Sequence, residues 1–275
     1  MTTLPLVAIL TSAVLHAAWN ALLKKSPDPS AASVLLVLIA AVLSGTVGAV
    51  FGVTAVPARA WPYLLATGAI EGIYFVTLSR ALEHLPLGSA YGISRGLGLL
   101  AIWPFSALWF AERLDLVVLG GAGLLSLGLF SLITQVTSRR GLWMALACAG
   151  TITAYPLAYK GGLEAGVDPF PLFALSLALA LPLQLVALGR TRATRLRAVW
   201  AAQPRRLLLS AALCAASFIL FLVALEAVGA GRVTALRNTS VLFAGIFGWL
   251  GGEAPTRRSI LSAIGITVGA VLVAR

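Results

Sequence analysis

Two stretches of this chain are variants of one sequence: ALEHLPLGSAYGISRG, residues Ala81–Gly96, and ALEAVGAGRVTALRNT, residues Ala224–Thr239. Ala-Leu-Glu falls on Ala-Leu-Glu, Gly88 on Gly231, and Arg95 on Asn238, which follows Arg237. Downstream, Glu112 matches Glu253 once the second copy drops two residues, and Gly128 then matches Gly269. Upstream, WNALLK (Trp19–Lys24) resembles YPLAYK (Tyr155–Lys160). Self-similarity on this scale predicts two copies of one unit, residues 1–138 and 139–275.

The composition says what the unit is made of. Sixty per cent (60%) of the 275 residues are hydrophobic and only 11% are charged, against roughly 25% charged in a soluble domain. Most of the chain therefore faces lipid or other apolar helices. Apolar runs of about 20 residues, the length that crosses a bilayer core, occur at 4–23, 31–53, 61–82, 87–110, 116–134, 142–160, 169–189, 206–228, 232–251 and 258–274. Loop chemistry such as KKSPDPS, EHLPLGS and EAGVDPFP separates them. The longest break, RTRATRLRAVWAAQPRR (Arg190–Arg206), has the Arg spacing of a short amphipathic interfacial helix. The expected fold is an all-α polytopic membrane protein of ten transmembrane helices. Five helices per copy is an odd number, so the second copy must enter from the opposite face. That gives two inverted five-helix repeats, an arrangement of many secondary transporters, whose substrate site lies near the midplane between repeats. Gly pairs one turn apart (Gly48/Gly52, Gly68/Gly72, Gly92/Gly96, Gly248/Gly252 and Gly265/Gly269) predict close helix packing.

A net charge of +11 would point to nucleic acid in a soluble protein. No basic, aromatic-interleaved soluble segment is present to bind one, and the positive residues follow the loops. Of the 20 Lys and Arg, 13 fall on odd-numbered loops and 5 on the opposite face, leaving Arg95 and Arg237 inside spans. By the positive-inside rule this count places both termini outside the cytoplasm. Cys148 and Cys214 sit inside apolar runs and are expected as buried free thiols. The first apolar run lacks a basic n-region and leads into further spans, so it reads as a retained helix and not a cleaved signal.

Polar residues inside spans carry the functional reading, because ionisable groups in a membrane are costly and usually line a cavity or pathway. Arg95 lies about 12 Å into the fourth span and Arg237 about 8 Å into the ninth, at 1.5 Å per residue. In matched helices of the two copies, they should face one another. Arg237 is shallow enough that snorkelling to water competes with a site role. Glu71, midway through the third span, either neutralises Arg95 structurally or titrates as a coupling group. Tyr74 shares its helical face. Trp19 and Asn20 share a face of the first span with His16, and Tyr155 holds the place of Trp19 in the second copy. His16 reads as an interhelical hydrogen-bonding residue. Ser94 and Thr239 complete the polar breaks beside Arg95 and Asn238. Lys24 and Lys160 read as interface anchors, and Glu83, Glu112, Glu226 and Glu253 as loop organisers.

No HExxH, Walker A, CxxC or GxSxG pattern is present, and two histidines far apart in sequence make no metal site. Neither catalysis nor a cofactor is expected. The stretches HAAWNALLKKS (from His16), YGISRGLGLL with AERL, and ALRNTSVLFAGIFGWLGGE resemble EamA-type permeases of the drug/metabolite transporter superfamily over the whole chain. The His-Ala-x-Trp-Asn start resembles a bacterial subgroup in which the residue after the ninth-helix Arg is often Glu; here it is Asn238. The resemblance implies ten helices, a cavity lined by helices one to four and six to nine, export or exchange of small metabolites, and cytoplasmic termini, opposite to the charge count.

Together these readings predict a multi-pass secondary transporter of the bacterial inner membrane, moving a small anionic metabolite by alternating access. Its site would comprise Arg95, Arg237, Asn238, Glu71, Tyr74, Trp19, Asn20, Tyr155, Ser94 and Thr239. Its expected partners are the lipid bilayer, a small-molecule substrate, a proton or counter-substrate, and a second copy in a homodimer. The alternative is a membrane-embedded lipid-handling protein or enzyme. Such a protein would show a lateral opening with a polar cluster at headgroup depth.

Overall fold

A computed structural model of the chain describes residues 3–111, 115–133, 136–250 and 256–275. Among these the chain is helical, with no strand. The helices are α1 (Thr3–Lys24), α2 (Pro29–Val50), α3 (Trp61–His84), α4 (Leu87–Phe110), α5 (Leu116–Phe130), α6 (Arg139–Glu164), α7 (Pro169–Leu188), α8 (Arg192–Ala202), α9 (Pro204–Ala227), α10 (Ala230–Arg237), α11 (Ser240–Leu250) and α12 (Arg257–Ala274). A 3-10 turn at Ala58–Ala60 precedes α3. Seven of them, α1, α2, α4 from Gly88, α6, α7, α9 and α12, are long and apolar enough to cross a membrane. The protein is a multi-pass, all-helical membrane protein.

The helix starts follow local chemistry. Asp28, Asp115, Ser138 and Thr256 each accept a hydrogen bond from a backbone N–H of the first turn, replacing partners those amides lack within the helix. Proline opens α2, α3, α7 and α9 within the first two positions, where its missing N–H costs nothing. Apart from the ninth, the apolar runs become helices whose ends lie within four residues of the expected limits. The Arg-rich segment forms α8, with only Val199 buried. Arg195 of α8 reaches the α1–α2 loop and clamps Asp28 through two bonds of 2.7 and 2.8 Å.

The ninth run differs from expectation. One continuous span over 232–251 is predicted, but the helix ends at Arg237 and restarts at Ser240. Asn238 and Thr239 form a turn with shortened bonds, Thr239 N to Leu236 O at 3.1 Å and Leu242 N to Thr239 O at 2.9 Å. The Thr239 hydroxyl donates to the Leu236 carbonyl at 2.6 Å. Short polar side chains that bond the local backbone compete with the regular helical ladder, and three stand in a row here.

Helix contacts come in pairs. α1 packs on α9 and α6 on α3; α3 packs on α7 and α9 on α2; α4 packs on α6, while α10 and α11 pack on α1. α2 also packs on α7, and α5 on α12. Within the α5–α12 contact, a Cβ on Gly269 would lie 2.6 Å from the Gly121 carbonyl oxygen and 2.7 Å from Leu125 N. A Cβ on Gly128 would meet the Ser262 carbonyl oxygen and Ile266 N, both at 3.0 Å. Gly68 and Gly72 likewise bring α3 against Leu179 and Leu183 of α7, and Gly92 and Gly96 bring α4 against Leu129 and Phe130 of α5. In lipid such close approach replaces the hydrophobic drive between helices.

Lys160, read as an interface anchor, has partners within the protein. It lies one turn inside α6, and its ammonium donates to the Leu225 and Glu226 carbonyls at 3.0 and 3.2 Å. A cation there satisfies carbonyls that end α9 and offsets the helix dipole. Glu83 accepts a hydrogen bond from Ser30, joining the start of α2 to the end of α3. Cys148 and Cys214 are buried free thiols. Glu112 and Glu253 lie outside the described residues.

Candidate functional site

The polar residues of the spans converge at the centre of the bundle. α4 delivers Arg95, α10 delivers Arg237, and α1 delivers His16 between them. One Arg95 nitrogen, Nη2, contacts His16 Nε2, and Arg237 Nη2 lies 3.3 Å from His16 Nδ1. The other Arg95 nitrogen, Nη1, donates to Asn238 Oδ1 at 3.2 Å. The two arginines thus meet through one imidazole, and Arg95 touches the residue aligned with it in the other half of the chain.

Neither arginine reaches water. Arg237 is 2% exposed and Arg95 5%, so the snorkelling reading of Arg237 is overturned. Its guanidinium carbon sits 4.1 Å from the Phe218 ring centre and 4.2 Å from that of Phe221. Two aromatic faces hold the cation there, and they come from α9, not from the polar residues that the sequence singles out. Arg95 lies similarly over Tyr91, at 4.9 Å.

Among the described residues the ion pairs are Lys160–Glu164 and Asp28–Arg195. Arg95 and Arg237 belong to neither. Glu71 does not either, so a structural Glu71–Arg95 pair is not formed. Both Glu71 carboxylate oxygens are buried without a hydrogen-bond partner, as are Arg95 Nε, Arg237 Nε and Nη1, and Asn238 Nδ2. The Tyr159 hydroxyl is turned toward Glu71 and Ser176, though no bond of full hydrogen-bond geometry joins it to either. Buried polar atoms are nearly always bonded, and each unmade bond of a charged group costs more than about 1–3 kcal/mol. Such a concentration of unmade bonds marks a place built for something other than stability.

The remaining expected site residues form walls. Trp19 is fully buried, edge-on to His16 with ring centres 5.0 Å apart, and its indole N–H is unbonded. Tyr74 and Tyr155 stand 5.7 Å apart, and Tyr155 continues to Phe218 and Phe221 at 6.2 and 5.9 Å. Asn20 bonds back to the His16 carbonyl at 2.8 Å and keeps its own oxygen unbonded. Ser94 and Thr239 bond their own helices, at the Ala90 and Leu236 carbonyls. These two shape the backbone and present no hydroxyl proton to the centre.

His16 is the residue that sequence reading set lowest. Its two ring nitrogens face cations from two other helices, and a neutral ring can accept from only one of them. The available signal was its position one turn before Trp19 and Asn20 on one helical face.

A separate crevice of about 750 Å³ lies between α3, α4 and α6. Small residues floor it (Gly150, Ala154 and Ala158), and Phe105 and Trp109 form one wall. Apart from Tyr63, Thr153 and Glu164 its lining is apolar, and the Thr153 hydroxyl is already spent on the Gly98 and Ala149 carbonyls.

Comparison with known proteins places this geometry in context. Residues 139–275 match the EamA-like transporter family, and residues 31–125 match the Small Multidrug Resistance protein family. A solved crystal structure shares the fold with a TM-score of 0.72 at 20% identity, over 99% of this chain and 96% of that one. Similarity at that identity speaks to the fold alone.

Proposed function

The chain belongs to the EamA-like transporter family, and we propose that it is a secondary-active exporter or exchanger of a small anionic metabolite, working by alternating access. The observation that carries this reading is the convergence of Arg95 and Arg237, from the two halves, on a buried centre where no carboxylate among the described residues forms an ion pair with either. Guanidinium is a planar donor that matches carboxylate and phosphonate groups in bidentate fashion. Trp19, Tyr74, Tyr155 and Phe218 would enclose the apolar part of the substrate, and Asn238 would hold Arg95 in position.

The architecture proposed for this activity is ten spans in two inverted five-helix repeats, residues 1–138 and 139–275. The paired helix contacts support it, since exchanging the two halves turns each contact into its partner. The reciprocal seats of Gly128 and Gly269 against α12 and α5 support it at the level of single residues. The membrane would be the bacterial inner membrane. The crevice between α3, α4 and α6 is the lateral opening that a lipid-handling protein would need, but its lining is apolar. The charged side chains with buried unbonded atoms, Glu71, Arg95 and Arg237, lie inside the bundle and away from that crevice, which favours transport.

Flux of labelled carboxylates and phosphonates into proteoliposomes tests the reading. Arg95→Ala and Arg237→Ala should each abolish uptake of the transported anion while the protein stays folded. If both variants carry every anion as the unmodified protein does, the anion reading fails. Absence of any flux in sealed vesicles would refute transport itself.

A further inference from the structure

We propose that His16 carries a proton with the substrate: its ring takes a second proton only when an anion occupies the two guanidiniums. The proposal rests on the anion reading above and adds the coupling ion.

The argument is one of donors and acceptors. Guanidinium has five N–H donors and no acceptor. A neutral imidazole offers one donor and one acceptor. Arg95 addresses one ring nitrogen of His16 and Arg237 addresses the other. Whichever nitrogen carries the hydrogen, one guanidinium faces an N–H and leaves its bond unmade. A doubly protonated ring would turn N–H groups on both arginines and gather three cations, with Glu71 near Arg237 but no ion pair to any of them among the described residues. With the centre empty of anion, the ring therefore holds one proton.

An anion between the arginines reverses each term. It accepts from donors that are otherwise unbonded, Arg95 Nε and Arg237 Nε and Nη1. It draws guanidinium hydrogens off the ring and offers negative charge to all three groups. A ring nitrogen then has a lone pair free for a proton taken from water, and that proton returns to water when the anion leaves. One proton with one monoanion leaves the net charge of the centre unchanged, so the loaded protein crosses its cycle without an added charge. Linkage makes the effect reciprocal: whatever the anion does for the proton, the proton does for the anion.

The surroundings of His16 identify one competitor. α2 and α11 contain no titratable residue. α9 brings Cys214 at mid-depth, with Arg205, Arg206 and Glu226 at its ends, and α10 brings Arg237 with Arg232 at its start. α4 brings Arg95 and Tyr91, α6 brings Tyr155, and α3 brings Tyr74 and Glu71. Glu71 is the other group able to take up a proton with the substrate, so bulk proton counting cannot assign the site. A signal from the ring itself is required.

His84→Gln leaves His16 as the single histidine. With 15N-histidine labelling, the ring nitrogen shifts report its protonation directly. At about pH 6, near the ordinary histidine midpoint, the ring should carry one proton with chloride as the sole small anion. Acetate, inorganic phosphate and methylphosphonate are the probes. At least one should bring a second proton to the ring, and its apparent affinity should rise about tenfold for each unit the pH falls across the coupled range. Arg237→Gln or, if that protein does not fold, Arg95→Gln should abolish the effect of the anion on the ring, which then keeps one proton with every probe. A doubly protonated ring before anion addition overturns the proposal, and so does a ring that none of the three probes changes. Flux of an anion with an unresponsive ring sinks the coupling and leaves transport standing. A responsive ring without flux does the opposite.

Discussion

Asn238→Asp is the substitution that most directly tests the central geometry. It keeps the shape of the side chain and adds one negative charge 3.2 Å from Arg95 Nη1. The new carboxylate pairs with Arg95 and stands in the place where a substrate anion would compete. An anion bound on the far side of the guanidinium would lie roughly 6 Å from it, and at an effective dielectric constant of about 20 the repulsion is about 2.8 kcal/mol. That corresponds to roughly a hundredfold loss of affinity. The folded protein should suffer little, because the change supplies a buried cation with a partner and removes no packing. The assay starts from the anion that raises the melting temperature of the unmodified protein most in a thermal-shift screen. Its apparent dissociation constant is then measured for both proteins, with size-exclusion profiles as the control for folding. An Asn238→Asp protein that binds this anion as tightly as the unmodified one would show that Arg95 and Asn238 do not face the substrate.

Other outcomes are read through stability. Phe218→Leu removes one of the two faces over Arg237 and should lower stability by about 1–3 kcal/mol, read as a drop in melting temperature and larger than that of a lipid-facing Phe105→Leu. Gly269→Ala places a Cβ 2.6 Å from the Gly121 carbonyl oxygen and should cost about 1–3 kcal/mol by forcing α5 and α12 apart; a melting temperature equal to the parent's contradicts that contact. For the Asp28–Arg195 clamp, the bonds from Arg195 hold the Asp28 carboxyl below its usual range. Its contribution is therefore full above the unfolded value of about 3.9 and lost as pH falls through the lower folded value. After solvent screening the clamp should be worth roughly 0.5–1 kcal/mol. Arg195→Ala should lower stability by that amount at neutral pH and by nothing once Asp28 is protonated, and a difference that grows on acidification would refute the sign.

The helix inventory was legible because lipid imposes one rule on every residue of a span. Hydropathy and loop chemistry locate α1 to α7, α9 and α12, and Arg spacing alone gives α8. The turn after Arg237 escaped because the apolar run continues through it, and three polar residues do not lower the average enough to show a break. Depth misled for Arg237: counting residues from the start of the run gave a position near water, but Phe218 and Phe221 close over it from another helix. His16 escaped for a different reason. Its environment is set by residues 79 and 221 positions away, and nothing local to α1 distinguishes an imidazole between two cations from one bonding a neighbouring carbonyl. The arginines themselves were legible because charge in a span is rare enough to demand an account.

The turn at Asn238–Thr239 divides one helix and has no counterpart in α4, which runs unbroken past Arg95. One helix is continuous at Arg95 and the other is interrupted beside Arg237. Under the proposed alternating access, that asymmetry would give the two open forms unequal energies even if their outlines mirrored each other, and the joint would set which of them is populated at rest. Alanines at 238 and 239 would shift that population, while the direction of net flux would stay with the gradients.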